Sequence, residues 1–415
     1  MRRTMKKMSP SRFPTLDTID VAHKRVLVRM DLNVPMTDGR VTDDTRVSRL
    51  LPTLRELLQK NAKIIILSHL GRPDGHYVPS LSLAPLVDAL SSALAGVVVK
   101  FGVDCIGPEA NSAVKALKSG EILLLENVRF HAGEEKNDAT FAKKLAAHGD
   151  IYVNDAFSCS HRAHASVVGI TRQLPCAAGR LMEEELRNLE TLFENPKRPL
   201  TAIIGGAKVS SKLELLENLI HRVDTLIIGG AMANTFLLAR GFAVGKSLVE
   251  PNLKETARRI LEKARGKCHI VLPMDVLHTL PSAIKASNVT VSGTVNVKDK
   301  AATIPAGEMI FDIGNQTLAD IAQHLAKSKT VIWNGPLGIF EQKPGFSTIW
   351  LAREIDRLTR DGTLKSIVGG GDTVAAINTA GFSQSYTYIS TGGGAFLEWM
   401  EGKELPGVEV LQAAA

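Results

Sequence analysis

Four short apolar runs in the second half of the chain end in glycine clusters: Gly205-Gly206, Gly229-Gly230, Gly369-Gly370-Gly371 and Gly392-Gly393-Gly394. In the first half, similar runs end in basic and polar residues instead. These are Arg29-Met30-Asp31-Leu32-Asn33, Ser68-His69-Leu70-Gly71-Arg72, Glu126-Asn127-Val128-Arg129, and Asn154-Asp155 leading to His161-Arg162-Ala163-His164. Arginine grips phosphate and carboxylate through a fork of donors. Aspartate and asparagine accept hydrogen bonds from hydroxyls, and glycine lets the backbone itself approach a phosphate or a flat ring. The first half therefore reads as a site for a small anion and the second as a site for a nucleotide. That pairing suits group transfer between the two.

The second half carries the sharper signals. Leu200 to Ile204 runs directly into Gly205-Gly206-Ala207-Lys208-Val209-Ser210-Ser211-Lys212. The glycines fit a tight turn, and the pattern from Lys208 to Asn218 is helical, which places Lys208 and Lys212 on one face of its first turns. Two cations beside a glycine turn and a helix start make an anion site. Gly369, Gly370 and Gly371 precede Asp372 and Thr373, which are suited to begin a helix. Asp372 is then either a simple cap or a carboxylate beside a phosphate cradle, where it could hold Mg²⁺. Gly241 to Ser247 resembles a Walker A loop, but it is one residue short and follows a helical segment. The chain has no GxGxxG, HRD or DFG, which disfavours a dinucleotide-dependent dehydrogenase and the protein-kinase arrangement.

The elements that must position these residues alternate strand and helix. In the first half the β-rich runs are Arg25–Val28, Lys63–Leu67, Val97–Val99, Ile122–Leu125 and Ile151–Val153. In the second they are Leu200–Ile204, Thr225–Ile228, Ile270–Leu272, Thr330–Trp333, Ser366–Val368 and Tyr386–Ile389. Continuous apolar strands joined by helices predict an α/β fold with parallel sheets covered on both faces. Ligands then bind beyond the carboxyl ends of the strands. Strand alternation predicts that Arg29, Asp31 and Asn33 share a face. Between the halves, Met182 to Asn195 is a charged helical pattern with Glu183, Glu184 and Glu185 in its first turn, closed by Asn195-Pro196. It predicts an interdomain helix with a hinge at its end.

Composition narrows the classes further. A chain of 415 residues with 44% hydrophobic and 22% charged residues suits two globular cores. The net charge of +7 owes most of its excess to Arg2, Arg3, Lys6, Lys7 and Arg12, ahead of the first acidic residue, Asp17. With aromatics at 5% and no basic stripe, nucleic acid is not an expected partner. No apolar run approaches the roughly 18 residues of a membrane span, and the basic start lacks the apolar core of a secretory signal. A cytoplasmic protein is expected. The four cysteines form no CxxC, and His161 and His164 have no nearby Cys or acidic partner, so zinc is not expected there.

In order along the chain stand RMDLNVP, DDTR, SHLGRP, ENVRF, YVNDAF with HRAHAS, GGAKVS, WNGPLG, GGGDT and STGGGA. With these motifs the chain resembles the phosphoglycerate kinase family over nearly its whole length, roughly Thr15 to Leu411. The resemblance implies a monomeric enzyme that transfers a phosphoryl group between 1,3-bisphosphoglycerate and Mg-ADP, giving 3-phosphoglycerate and Mg-ATP. It implies two Rossmann-like three-layer domains closing on a hinge: 15–181 for the acid, a linking helix 182–195, and 196–401 for the nucleotide. Residues 1–14 extend beyond the family's usual start, and 402–415 return toward the first domain.

Carried over by motif, Asp31 and Asn33 bind the carboxyl and hydroxyl end of the substrate. Arg46, His69, Arg72, Arg129 and Arg162 form its basic patch, with Arg46 near the transferred group. Lys208 and Lys212 reach the phosphates, and Asn334 and Glu341 contact the nucleotide phosphates and ribose. Asp372 holds the metal, Thr373 meets phosphate, and Gly206, Ala207 and Gly230 flank adenine. Two departures stand out: Ser211 replaces an acidic residue, and Ser158-Cys159-Ser160 stand where Gly-Thr-Ala is common. The acceptor oxygen in such a transfer is already ionised, so no general base is needed, and rate must come from alignment and charge stabilisation. A two-domain solute-binding protein would share the hinge and the basic cleft, but it normally needs an export signal and would not consume ATP.

Overall fold

The run Lys63-Ile64-Ile65-Ile66-Leu67 is apolar at consecutive positions, and its last four side chains are all buried. Such a strand is stable only with helices over both faces. In the computed structural model it is the third strand of a six-stranded parallel sheet. The order is Val99–Gly102, Ile122–Leu125, Lys63–Leu67, Arg25–Arg29, Ile151–Asn154, Cys176–Ala178. The structure describes residues 13–37, 40–42, 45–193, 196–285, 289–299, 301–340, 346–382 and 385–414.

The chain divides into two compact units. One comprises the chain up to Glu190 together with the stretch from Glu404 onward, and the other runs from Thr191 to Lys403. The second unit has its own six-stranded parallel sheet, ordered His269–Val271, Thr225–Ile228, Leu200–Ile204, Thr330–Asn334, Lys365–Val368, Tyr388–Ile389. Trp333, fully buried on the Thr330–Asn334 strand, anchors one core of this unit with Leu351, Ile355 and Ile377. In the first unit the helix Thr45–Gln59 buries Leu50, Leu54 and Leu57 against the sheet. No helix among the described residues is long and apolar enough to cross a membrane.

Several boundaries differ from the sequence reading. The strand expected at Val97–Val99 is Val99–Gly102. Ala95 and Gly96 turn with positive φ, and pairing starts only where Val99 meets Ile122. The last strand begins at Tyr388, because Tyr386 is used as a core residue rather than a ladder residue. A three-stranded antiparallel sheet of Asp275–Thr279, Gly293–Asn296 and Met309–Ile313 was not foreseen. Residues 1–12 of the basic start lie outside the described residues, but Phe13 is buried and the Pro14 carbonyl accepts the Ala178 amide. Folded structure therefore begins before Thr15. Near the far end, the helix Pro406–Gln412 docks on the first unit, where the Gly407 amide donates to the Ser160 carbonyl at 2.9 Å.

The linking helix starts at Arg180, two residues earlier than the pattern suggested, and runs to Phe193. Its start is held from inside the first unit. Asp155 is fully buried, and its Oδ1 accepts the Leu181 and Met182 amides at 2.9 and 3.0 Å. Burial nevertheless pushes this carboxyl up to about 6. Asn195 lies outside the described residues.

A Cβ at Gly179 would overlap the Asp155 carboxylate. Gly179→Ala should therefore cost about 1–3 kcal/mol as an overpacked site, read as a drop of several degrees in the Tm of the purified chain. An unchanged Tm would show that Asp155 is free to move. The raised carboxyl has a pH signature too. Between the unfolded value near 3.8 and about 6 the folded state binds the extra proton, so this group's contribution to stability falls as pH rises through that window. Asp155→Asn should remove that component, so that wild type gains stability relative to the variant as pH falls from 7 to 4 in urea unfolding. Parallel curves would contradict it.

Candidate functional site

In the first unit, the strand ends converge on a buried basic cluster. Arg29, the last residue of its strand, is fully buried. Its Nε donates to Ser166 Oγ at 2.8 Å, Nη1 donates to the Met30 carbonyl, and Nη2 lies 3.1 Å from His69 Nδ1. A guanidinium can only donate, so Nδ1 of His69 must accept and the ring's proton sits on Nε2. Burial, then the charges of Arg29, Arg129, His164 and Arg162, hold His69 well below its ordinary value. His69 is thus a neutral donor. The same surroundings bring His164 down to about 4.

Glu134 balances this cluster. It is fully buried, accepts Ser166 Oγ at 2.6 Å and the Ser166 amide at 2.9 Å, and lies 3.7 Å from His164 Nδ1. Ser166 therefore bridges the buried cation and the buried anion. Arg129 sits in the short turn Val128–Phe130, almost fully buried, with Nη1 on the Gly71 carbonyl at 2.8 Å and Nε 3.3 Å from Glu135. Arg162 is half-buried and donates to His161. Arg72 is exposed.

Asp31 and Asn33 lie past the end of the strand, so strand alternation does not govern them. Arg29 points inward while Asn33 is exposed. Arg46, in the first turn of the helix Thr45–Gln59, joins them: its Nη1 donates to Asp31 Oδ2 at 3.0 Å and to the Asn33 carbonyl at 2.9 Å. The hydroxyl of Ser158, one of the departures from the family pattern, also donates to Asp31 Oδ2. Asn33 Oδ1 accepts the Gly71 amide, which ties this loop to the one carrying His69 and Arg72.

In the second unit a cavity of about 250 Å³ opens at the strand ends, lined in part by Gly206, Ala207, Gly230, Leu337 and Asp372. Gly206 and Gly230 have φ of +117° and +66°, and a Cβ on Gly230 would come within 2.6 Å of the Gly206 backbone. Only glycine permits this approach. Lys212 is half-buried; its Nζ donates to the Gly205 carbonyl and to Asn334 Oδ1, both at 2.7 Å. Asn334 in turn donates from Nδ2 to the Gly369 carbonyl at 2.7 Å, linking two glycine turns. Burial brings the Lys212 ammonium down to about 8, partly offset by Asp372.

Two expectations need correction here. The segment after Gly206 is not one helix: a 3₁₀ turn spans Ser210–Lys212 and the α-helix is Leu213–Leu219. Lys208 therefore precedes both, exposed, and does not share a helical face with Lys212. Ser211 fits this turn, donating to the Lys208 carbonyl. Thr373 is fully buried and its Oγ1 accepts the Gly335 amide at 2.7 Å, so it clamps the WNGPLG loop from inside. Glu341 lies outside the described residues.

Gly370, at φ +98°, turns the chain into the helix Gly371–Ala380, and a Cβ there would come within 2.6 Å of Asn334 Nδ2. A Cβ on Gly369 would overlap Phe396, whereas Gly371 faces open space. Asp372 is exposed in the first turn of that helix.

Sequence reasoning missed Glu134 and Ser166. Glu134 sits among residues that read as surface and Ser166 closes the HRAHAS run, and the placement of both follows from the need of a buried Arg29 for a counter-charge. Glu134→Gln leaves that charge uncompensated and should destabilise the fold by about 3–5 kcal/mol, seen as a lower midpoint in urea unfolding. An unchanged midpoint would show that Ser166 and Met30 suffice to hold Arg29.

A profile of the family "Phosphoglycerate kinase" matches residues 16–403. A phosphoglycerate kinase of Ruegeria sp. is 55% identical over 400 residues, covering 96% of this chain and 99% of that protein. One from Cereibacter sphaeroides is 53% identical over 399 residues, covering 96% and 98%. Among solved structures, the phosphoglycerate kinase of Coxiella burnetii superposes with a TM-score of 0.85 at 40% identity, over 97% of this chain and 100% of the other. That of Pyrococcus horikoshii gives 0.82 at 32% identity, over 97% and 99%. On the motifs, the two sheets and these relatives, the chain belongs to the phosphoglycerate kinase family.

Proposed function

We propose that this chain catalyses reversible phosphoryl transfer from 1,3-bisphosphoglycerate to Mg-ADP, giving 3-phosphoglycerate and Mg-ATP. The observation that carries the reading is Lys212, held on Asn334 and Gly205 beside the glycine-lined cavity, in a chain whose other unit gathers Arg29, His69, Arg129 and Arg162 at its strand ends.

In this reading Asp31 and Asn33 take the carboxyl and hydroxyl end of the acid. Arg46, His69, Arg72, Arg129 and Arg162 surround its anionic groups, His69 donating from Nε2. Gly206, Ala207 and Gly230 pack against adenine, Glu341 reaches the ribose, and Gly369, Gly370 and Gly371 let the backbone approach the phosphates. Lys208 and Lys212 meet the phosphates, and Arg46 acts near the transferred group. Asn334 holds Lys212 in place.

The exposed Asp372 carboxylate, on the cavity wall at a helix start, fits Mg²⁺, which favours one or two carboxylates together with phosphate oxygens. Bound there, the ion would neutralise phosphate charge. The attacking oxygen is a carboxylate or a terminal phosphate, already ionised, so the chain's task is to align the reactants in line and stabilise the charge that spreads in transfer.

Residues 15–181 hold the acid and 196–401 the nucleotide, the helix 182–195 links them with a hinge at its end, and 402–415 return toward the first domain. Both substrates together draw the two sites to one another, which keeps water from the acyl phosphate. The chain acts as a cytoplasmic monomer.

Lys212→Ala should lower kcat by about 10²–10³-fold with the circular dichroism unchanged; wild-type turnover would refute the role of Lys212. The charge also sets a pH limit. As pH rises through about 8 the free ammonium loses its proton, so kcat/KM for the nucleotide, which reports the free enzyme, should fall there. In Lys212→Arg that fall should move to higher pH, because a guanidinium stays charged. Superimposable profiles would assign the fall to another group.

A further inference from the structure

In the first unit, the turn after the strand Val99–Gly102 meets the turn that follows Arg129. Asp104 and Cys105 on one side and His131 on the other bring a carboxylate oxygen, a thiol sulfur and an imidazole nitrogen within 4.8 Å of one another. Cys105 is fully buried, whereas the side chains of Asp104 and His131 are 39% and 29% exposed. The set is thus rooted in the core and open on one side.

Its members are held in place. Asp104 Oδ1 faces His131 Nε2 at 2.7 Å and accepts the Cys105 amide at 2.6 Å. The His131 ring stacks on Phe141 with centroids 5.3 Å apart, and its carbonyl accepts the Glu134 amide at 3.0 Å. A surface ion pair would account for Asp104 and His131. It gives no reason for a thiol at ligand distance from both.

We propose that Asp104, Cys105 and His131 form a binding site for a thiophilic divalent cation of the Zn²⁺ class, with a fourth position open to solvent. Sulfur, nitrogen and one oxygen suit zinc and cobalt, whereas Mg²⁺ demands oxygen ligands. On binding, the thiol proton leaves to solvent, the sulfur bonds the metal as thiolate, Nε2 of His131 bonds it in turn, and the ring's remaining proton resides on Nδ1. His131 directly follows the turn Val128–Phe130, so an occupied site fastens the segment bearing Arg129 to the segment 104–105.

The test is titration of the reduced, full-length chain with Co²⁺, followed by absorbance. One equivalent should produce a thiolate-to-cobalt charge-transfer band that Zn²⁺ removes and excess Mg²⁺ does not. Cys105→Ser should abolish the band, and Cys268→Ser, at a half-exposed thiol elsewhere, should leave it. Loss of a supporting group around a metal commonly costs about 10–100-fold in affinity, so removing the ligands themselves in His131→Asn or Asp104→Asn should weaken Co²⁺ at least about tenfold. These two half-exposed positions decide the matter should Cys105→Ser fail to fold. No charge-transfer band, a band that survives Cys105→Ser, or undiminished affinity in both His131→Asn and Asp104→Asn would overturn the site.

Discussion

A parallel sheet with helices on both faces leaves its polar residues few places to go except the strand ends, and both units obey that constraint. In the first unit it forces Arg29, the last residue of a central strand, into the interior. A charge so buried needs partners for nearly all its donors. Ser166, the Met30 carbonyl and His69 supply them, and Glu134 supplies the opposite charge through Ser166. The tautomer of His69 and the depressed basicity of His164 both follow from this arrangement. What is gained is a set of donors fixed before any ligand arrives, which limits the reorganisation left for the reaction itself.

The second unit meets the same constraint with backbone rather than charge. Gly205 and Gly230 let segments touch where any Cβ would intrude, and Gly206 turns between them at a φ of +117°. The carbonyls so gathered position Lys212, while Asn334 ties them to the turn at Gly369 and Gly370. One buried side chain thus connects the residues that would face a nucleotide's phosphates. Thr373, buried behind them, fixes the loop at Gly335. Rigidity here comes from close contact, as phosphate recognition by backbone donors requires.

Much of this was legible in the sequence, for identifiable reasons. Runs such as Lys63–Leu67 and Leu200–Ile204 are unbroken and apolar, so their strands appear where expected. Glycine clusters marked the turns, because positive φ and close approach leave a compositional trace. Tertiary context was not legible. Alternation failed at Asp31 and Asn33 because the strand stops at Arg29. Helical spacing failed at Lys208 because the helix starts only at Leu213. Glu134 looks like a surface acid in sequence and Asp155 like one of the strand-end site residues, and only the fold shows that each is buried against groups far along the chain. The antiparallel strands Asp275–Thr279 and Gly293–Asn296 carry polar residues and bulge-prone pairing, too weak a pattern to read from one sequence.

The central claim is that one chain joins an anion site and a nucleotide site for a single transfer. Initial-rate measurement of ADP formation by the purified chain, with Mg-ATP, 3-phosphoglycerate and a coupling enzyme that consumes the bisphosphate, tests it directly. The account predicts turnover that requires both substrates and Mg²⁺ and disappears when any one is left out. ADP formation that is indifferent to 3-phosphoglycerate, or no turnover by the folded chain, would contradict it.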